Sequence, residues 1–332
     1  MLDETHRLRI VERANLAPSV HNTQPARWRF EPDGSITVLV DRRLFLPLGD
    51  PQGRDAVLSC GAAVEGTVIA LADLGLGVAE VADLWQPGDD ATPLSPVANL
   101  ALRAGGEADA LSPVIERRST WRGGFLPAKG ELARPLADWA AGRRDVVLAS
   151  QRADIEMLAD FNDDISLRFY RRDEFRNELV HWMRLTRSHP DYARDGMNLE
   201  ALQLSALEGQ GARIAFKTPF FGILDRLGIA ARLLSERNKT LSSSAIVLFH
   251  RPREESPLRT GQALYRMWLE LTRLGLAAWP MAALADDPAA AATCAAHFGI
   301  PDDHRLVNLL RIGPSPRQSP RARRAATELV VT

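Results

Sequence analysis

The chain has 332 residues, of which 45% are hydrophobic and 25% are charged, and its formal net charge is −1. These fractions are typical of a soluble globular protein with one large domain or two ordinary ones. A nearly neutral chain without a basic stripe is not expected to bind nucleic acid. The first ten residues, MLDETHRLRI, lack the apolar core of an export signal, so a cytoplasmic location is expected.

The two cysteines, Cys60 and Cys294, lie far apart and outside any metal-binding spacing. This favours a reducing compartment and argues against a structural zinc site. Cys60 is interpreted as a small core residue because its surroundings, LSCGAAV, predict a buried helix. The longest apolar stretch, GAAVEGTVIALADLGLG, is interrupted by Glu65 and Asp73. We interpret it as too short and too polar to cross a membrane, so no membrane partner is expected.

Hydrophobic periodicity and turn residues define the predicted elements. A helix over about 3–16 precedes a loop, and the alternating SITVLVD at 35–41 predicts a strand after the PDG turn. The following elements are a buried helix over 54–74 that ends at Gly75, strand-like runs in RDVVLAS and at 243–250, a second strong helix over 259–274 and a closing strand over 304–313. The tail after 313 is rich in proline and arginine.

The two strong helices resemble each other at a constant offset of 200 residues. Identical residues occupy six position pairs, namely Gly61/Gly261, Ala63/Ala263, Leu71/Leu271, Leu74/Leu274, Gly75/Gly275 and Leu76/Leu276. Two apolar helices can match in this way by chance, but the paired glycines favour an internal duplication. We therefore predict two α+β halves, 1–108 and 109–332, with a mostly helical, lid-like segment inserted into the second half at about 150–235.

Two segments contain the side chains that are best suited to binding or catalysis. LAPSVHNTQPARWRF (16–30) places small hydrogen-bonding side chains between two prolines, straight after the first helix. IERRSTWRGGF (115–125) surrounds two hydroxyls with three arginines, a set of donors that suits a phosphate. The tail adds a second basic cluster. Either arginine cluster could also be an ordinary solvated surface.

These motifs resemble those of the flavin-dependent nitroreductase family. APSVHNTQP is similar to the A-P-S-x-x-N-x-Q-P-W signature of the family, and RRSTWR resembles its phosphate-binding R-R-S-x-R. ERNKTLSSSAIVLF and GLAAWPMAAL resemble two further flavin-contacting segments. The two halves of one flavin site lie in different halves of this chain, which resembles the single-chain tandem (Acg-like) subgroup. The resemblance implies an α+β, nitroreductase-like fold whose halves form an intramolecular pseudo-dimer with one intact site.

The resemblance also implies a role for each motif residue around FMN. The FMN phosphate would be held by Arg117, Arg118, Ser119 and Arg122, with Arg321 and Arg323 closing over it. The isoalloxazine ring would contact Pro18, Ser19 and Asn22. The pyrimidine edge would face Asn238 and Lys239, and flavin N5 would lie near the backbone of Pro280, Met281 and Ala282.

The sequence departs from the family pattern at two places. Ala26 stands where the family has a tryptophan after Gln-Pro, and Ala282 and Ala283 follow the N5-edge proline in place of an acidic residue. The second departure leaves the acceptor contacts open. His21 lies within the first motif and could act as an acid, but a lone loop histidine is more often a hydrogen-bonded bystander.

Three functions are compatible with these residues. The first is an FMN-dependent oxidoreductase that moves electrons from NAD(P)H to a nitroaromatic, quinone or similar small-molecule acceptor. The second is an FMN-binding or FMN-sequestering protein with little turnover, in which aromatic residues of the inserted segment cover the flavin, namely Phe161, Phe169, Tyr170, Trp182, Phe220 and Phe221. The third is a flavin-free scaffold. A fused pseudo-dimer needs no partner to complete its site, so a monomer or a weak homodimer is expected.

Overall fold

Two four-stranded antiparallel sheets form the centre of the structure, a computed structural model that describes residues 2–88, 92–128 and 132–332. Their composition, with helices packed against both, confirms the predicted α+β class. The first sheet has the strand order β1-β2-β4-β3. Its elements are α1 (Glu4–Ala14), β1 (Ala26–Phe30), β2 (Ile36–Asp41), α2 (Arg54–Ala72), β3 (Leu76–Asp83) and β4 (Leu94–Ala104).

The second sheet has the strand order β5-β8-β10-β9. The elements up to its second strand are α3 (Ala133–Ala141), β5 (Val146–Ala149), α4 (Arg152–Arg171), α5 (Asp173–His181), β6 (Met183–Arg184), β7 (Met197–Asn198), α6 (Leu199–Leu202), α7 (Ala206–Ala215), α8 (Thr218–Arg226), α9 (Ile229–Leu234), α10 (Arg237–Leu241) and β8 (Ala245–Pro252). The remainder are α11 (Pro257–Arg273), β9 (Ala277–Pro280), α12 (Ala283–Asp286), α13 (Pro288–Phe298), β10 (His304–Gly313) and α14 (Ala326–Leu329).

The two sheets share one topology. In each, two strands precede a long helix and two follow it, and the spatial order is first, second, fourth, third. The strong helices of the sequence are α2 and α11, one in each unit, and their bounds differ from the predicted 54–74 and 259–274 by one or two residues. The predicted strands at 35–41, 243–250 and 304–313 correspond to β2, β8 and β10.

The helices α2 and α11 pack against each other through the paired glycines. A Cβ atom added to Gly61 would lie 2.1 Å from the carbonyl oxygen of Leu258, and one added to Gly261 would lie 1.9 Å from that of Leu58. Real carbon atoms do not approach so closely, so both positions require glycine. The contact is reciprocal, as at a two-fold axis. Equivalent positions are therefore separated by 200 residues in the structure as well as in the sequence comparison.

By length and composition alone, α2 could cross a membrane, which corrects our interpretation of this stretch as too short and too polar. However, 78% of its apolar window is buried inside the protein, as expected for a core helix. Its buried Glu65 is bonded to Arg266 and Gln262 of α11. The apolar character of α2 is thus explained by its position between α11 and the first sheet.

The segment predicted as a lid at 150–235 is not one unit. Its first helix, α4, buries Ile155, Leu158 and Ile165 in the same core as strands β8 and β10. This helix is therefore part of the second unit's core. Two parts of the segment reach the first unit. Glu178 of α5 accepts hydrogen bonds from the N–H groups of Leu48 and Gly49, and the stretch around the short parallel pair of β6 and β7 contacts the loop after α1.

The C-terminal tail returns to the first sheet. Trp28 of β1 bridges to Val330, and the N–H of Val331 donates to the carbonyl oxygen of Trp28 at 2.9 Å. The tail consequently crosses both units, and residues 318–324 lie between them.

Candidate functional site

The loop after α1 has an unusual backbone conformation. His21, Asn22 and Gln24 have φ angles of 46°, 59° and 54°, in the left-handed region that non-glycine residues rarely adopt. The hydroxyl of Ser19 accepts a hydrogen bond from the N–H of Gln24 at 3.0 Å and stabilises the turn. Such backbone strain is concentrated at functional sites, where the surrounding structure must maintain it.

The loop is held between the inserted segment and the tail. The side-chain amide of Asn22 donates to the carbonyl oxygens of Gly196 at 3.0 Å and Ala322 at 3.1 Å. Its oxygen accepts a hydrogen bond from Arg323 at 2.5 Å. Gln24 donates to the carbonyl oxygen of Arg194 at 2.8 Å. The side chain of Asn22 is therefore fully used by protein contacts.

The RRSTW segment lies beside β9 and meets the same loop. Thr120 forms a parallel bridge to Ala278, and the N–H of Trp121 donates to the carbonyl oxygen of Ala278 at 3.0 Å. The guanidinium of Arg118 crosses between the units and donates to the carbonyl oxygen of Leu16 at 3.0 Å. The two motifs that the sequence separates by about a hundred residues are thus in contact.

Eight of the fourteen predicted site residues line one cavity of about 80 Å³. They are Pro18, Ser19, Asn22, Arg118, Ser119, Arg122, Arg321 and Arg323. The inserted segment and the tail complete the lining with Thr120, Gly196, Met197, Ala201, Ser319, Pro320 and Ala322. None of the aromatic residues predicted to cover the site belongs to this lining. The inserted segment contributes Gly196, Met197 and Ala201 to the lining.

The other six predicted residues do not line this cavity. The side chain of Arg117 is exposed, unlike that of its neighbour Arg118. Asn238 is exposed, and the ammonium of Lys239 pairs with Glu236 at 2.9 Å. Pro280, Met281 and Ala282 end β9 and begin the next turn. Because the N–H of Met281 donates to the carbonyl oxygen of Leu309, that N–H is not free for a ligand.

The cavity concentrates positive charge. It is lined by Arg118, Arg122, Arg321 and Arg323, whereas none of the described residues in its lining carries a carboxylate. Burial lowers the pKa of Arg118 and of Arg122 to about 10, and burial together with the neighbouring Arg118 and Arg321 lowers the pKa of Arg323 to about 9. All four arginines still carry a proton at neutral pH, so the region has an uncompensated positive charge.

Several buried donors around Arg118 have no hydrogen-bond partner. In the part of the chain that the structure describes, nothing pairs with its Nε and Nη1, with Arg321 Nε or with the side-chain donors of Tyr265, Trp268 and Ser319. The guanidinium of Arg118 lies 4.9 Å from the ring centre of Trp268. Because native proteins rarely leave buried donors unpaired, this cluster is the strongest sign of a ligand site.

An anion with several oxygens fits this donor set. Arginine forks and hydroxyls recognise phosphate through short, charge-assisted hydrogen bonds. Sequence reasoning found Arg118 and Arg321 but missed Tyr265, Trp268 and Ser319. For Tyr265 and Trp268, the sequence signal was that two aromatic residues with polar tips lie three positions apart on a helix predicted to be buried.

His21 and Tyr170 lie near Arg122 at the edge of the cavity. Burial and the charge of Arg122 lower the pKa of His21 to about 4, so the imidazole is neutral at physiological pH. Burial and the charge of Glu236 raise the pKa of Tyr170 to about 12. A neutral histidine and a protonated tyrosine are suited to hydrogen bonding and not to proton transfer at neutral pH.

A larger open groove of about 770 Å³ lies on the outer side of the tail and shares Ser319, Pro320 and Arg321 with the cavity. Its lining mixes Arg9 and Arg13 with Glu12 and Glu116. With the shared Arg321, the groove has three arginines against two carboxylates, whereas the cavity has four arginines and no carboxylate in its described lining. We therefore take the cavity as the functional site despite its smaller volume.

Comparison with known proteins gives one family match and several relatives. Residues 193–314 match the model of the Nitroreductase family. A Mycobacterium tuberculosis protein provisionally named an NAD(P)H nitroreductase is 49% identical over 59 residues, which are 18% of this chain and 17% of that protein. The chain thus matches about a sixth of the length of this relative. An uncharacterized M. tuberculosis protein is 26% identical over 273 residues, covering 79% of this chain and 73% of that protein.

Two solved structures illustrate the structural likeness. One is the FMN-dependent nitroreductase NfnB from Mycobacterium smegmatis in complex with NADPH, 17% identical, covering 61% of this chain and 86% of that chain with a TM-score of 0.35. The other is a protein from Anabaena variabilis provisionally described as a nitroreductase, 11% identical, covering 95% of this chain and 90% of that chain with a TM-score of 0.42.

Proposed function

From the premise that the chain belongs to the nitroreductase family, we propose that it binds FMN and is an NAD(P)H-dependent flavin oxidoreductase. Its acceptor would be a nitroaromatic, a quinone or a similar small molecule. The observation that carries this proposal is the cluster of unpaired buried donors beside four arginines and no carboxylate in the cavity lining. A phosphate monoester supplies the oxygens and the negative charge that this cluster lacks.

The residues of the cavity have distinct roles in this proposal. Arg118, Arg321 and Ser119 hold the phosphate, and the hydroxyl of Tyr265 donates to it from α11. Arg323 is used differently, because its donors already bind Asn22 and the carbonyl oxygen of Asn15. It positions the strained loop, which contributes one wall for the flavin ring. The flavin, when bound, supplies the hydride chemistry, while the protein supplies position and charge.

We also propose that the chain is a fused pseudo-dimer with the halves 1–108 and 109–332. The shared strand order of the two sheets and the reciprocal Gly61 and Gly261 contacts support this. The cavity itself combines a loop of the first half with arginines of the second half. A single chain can therefore complete the site, which supports a monomer. The oligomeric state and the cytoplasmic location both stay predictions.

One observation favours a second candidate function, storage of FMN with little turnover. Gly196 is hydrogen-bonded to Asn22 through both its N–H and its carbonyl oxygen, and the sulfur of Met197 lies 3.2 Å from Arg122. The remaining cavity, about 80 Å³, has room for a phosphate group but not for a tricyclic ring. The segment around Gly196 and Met197 must therefore move to admit the ring, and it could close over the bound flavin.

Reconstitution followed by anaerobic reduction tests both functions. The chain is incubated with FMN, desalted and mixed with NADH or NADPH without oxygen, while the visible flavin absorbance is recorded. Rapid bleaching by either nucleotide supports the oxidoreductase. Colour that persists with both nucleotides but bleaches with dithionite supports storage. A chain that retains no flavin refutes both proposals and favours a flavin-free scaffold.

Lys239 provides an independent test of flavin placement. The family resemblance puts this cation near the pyrimidine edge, where it would stabilise the anionic reduced flavin. In the structure its ammonium pairs with Glu236, so its net effect depends on that carboxylate. We expect Lys239→Ala to lower the flavin reduction potential. An unchanged potential would remove Lys239 from the site.

A further inference from the structure

Three consecutive helices, α7, α8 and α9, expose large apolar side chains. Seven of the ten exposed large hydrophobic residues in the described ranges lie here, namely Leu207, Ile214, Phe220, Ile223, Leu227, Ile229 and Leu233. Leu207, Leu227 and Leu233 are 83%, 67% and 62% exposed. We refer to residues 206–234 as the α7–α9 surface. Such a concentration of exposed apolar residues marks an interaction site.

The exposed residues form one stripe on each helix. In α8 and the residue after it, Phe220, Ile223 and Leu227 follow the i, i+3, i+7 spacing of a single helix face. Phe221, on another face, is buried beneath the guanidinium of Arg176. The helix therefore has a second apolar face besides the one that it needs for folding. Polar residues on the outer face would serve the fold equally well.

The same surface carries exposed cations. Arg213, Lys217, Arg226 and Arg232 are all exposed, and across residues 2–88, 92–128 and 132–332 none of them forms an ion pair. The carboxylates of the region have other partners. Asp225 binds Arg171, and Glu208, which caps α7 through Ser205, leaves one negative charge against the four cations, so the surface stays net positive. Apolar side chains with flanking, uncompensated lysine and arginine are the composition of helices that lie on membranes.

We propose that the α7–α9 surface binds the face of an anionic lipid membrane. The charge selects this occupant over a second copy of the chain, because two copies of one cationic surface would repel each other. The inference concerns peripheral binding. The expectation that the chain has no membrane partner concerned spanning segments. The proposal revises this expectation for attachment to the membrane surface.

Vesicle sedimentation with the full chain tests this proposal. Vesicles of phosphatidylcholine alone are compared with vesicles that also contain phosphatidylglycerol. We expect the chain to bind only the anionic vesicles and to be released when ionic strength is raised from about 0.05 M to about 0.5 M. Removing each cation should weaken binding about fivefold. Binding that is absent, or equal on both vesicle types, would overturn the proposal.

Substitutions separate this surface from the rest of the molecule. Ile223→Asp with Leu227→Asp should abolish vesicle binding, whereas Leu84→Asp, at an exposed apolar residue outside the surface, should leave it intact. Retained FMN binding and an unchanged thermal midpoint show that the variants are folded. Sedimentation velocity, which measures the oligomeric state, tests the alternative that a second copy of the chain covers this surface. A wild-type chain that dimerises through this surface, with a monomeric double variant and no vesicle binding, would replace the membrane by a second copy.

Discussion

Replacing Arg118 by methionine should stabilise the ligand-free chain and weaken FMN binding at the same time. Arg118 is 3% exposed, and within residues 2–88, 92–128 and 132–332 the only hydrogen bond that its side chain makes is to the carbonyl oxygen of Leu16. Its other two nitrogens, Nε and Nη1, are buried without partners. A buried charge in this state destabilises the protein until an anion arrives. Methionine has a similar length and carries no charge.

The magnitudes follow from the pKa and from the hydrogen bonds. Burial lowers the pKa of Arg118 to about 10, which at about 1.4 kcal/mol per pKa unit is a penalty of about 3 kcal/mol for the protonated form. Losing the bond to Leu16 and the contact with Trp268 offsets about 2 kcal/mol of this gain. The net stabilisation is therefore about 1 kcal/mol. Losing two charge-assisted bonds to phosphate costs about 3 kcal/mol or more, which weakens FMN binding at least about 100-fold.

Two measurements check the prediction. Urea unfolding of the ligand-free chain gives the change in stability, and quenching of FMN fluorescence gives the affinity. Arg117→Met is the matched control, because its side chain is exposed and does not line the cavity, so both quantities should stay near wild type. An Arg118→Met variant that binds FMN within about threefold of wild type would refute the assignment of the phosphate site. Equal losses in both variants would restore the role that the family resemblance implies for Arg117.

Three further predictions test the site and the fold. Tyr265→Phe should weaken FMN binding about 3- to 10-fold without destabilising the free chain, because its hydroxyl has no hydrogen-bond partner among the described residues. A titration that matches wild type would exclude Tyr265 from the site. Gly61→Ala should destabilise the chain by at least about 2 kcal/mol, because the new Cβ would meet the carbonyl oxygen of Leu258. The control Gly211→Ala, whose new Cβ would have nothing within 4 Å, should stabilise α7 by about 0.5–1 kcal/mol. Urea midpoints that shift in the same direction in both variants would contradict this. His21 has a folded pKa of about 4, below its ordinary 6.5, so the unfolded chain binds the proton first. Stability therefore falls as the pH drops from 6.5 towards 4, by about 2.5 kcal/mol at pH 4.5. His21→Asn, which tolerates the left-handed backbone, should remove that part of the loss, and an identical pH dependence in both proteins would assign the loss to other groups.

The regular elements could be predicted because their pattern is local. The alternation of SITVLVD and the apolar helix over 54–74 are visible in a short window, and β2 and α2 follow them closely. The meeting of the first loop with RRSTW could be expected only from the family resemblance, since no local pattern states which distant segments touch. The structure then supplies the contact itself, from Arg118 to the carbonyl oxygen of Leu16.

Other parts of the site depend on tertiary packing and could not be predicted. Arg117 and Arg118 are adjacent and identical in type, and only the packing of Arg118 against Trp268 distinguishes them. Tyr265 reads as an ordinary core residue until the arginines are placed around it. The place of Gly196 and Met197 in the lining depends on backbone hydrogen bonds, which side-chain patterns do not indicate. The predicted aromatic residues do not line the cavity, so their role as a cover stays a prediction, whereas the inserted segment that contains them does contribute to the lining.

The helix pair differs between its two sides in a way that bears on the proposed anion site. Under the proposed pseudo-dimer, positions 65 and 265 are equivalent, yet Tyr265 leaves its hydroxyl unpaired among arginines while Glu65 is neutralised by Arg266. On the open side the arginines are held mainly by backbone carbonyl oxygens, which stabilise a guanidinium without removing its charge. An acid at 265 would pair with Arg118 and abolish that charge. The difference between glutamate and tyrosine at this pair of positions therefore adds to the difference in arginine content. One side has a closed ion pair, and the other keeps the positive charge of the proposed anion site.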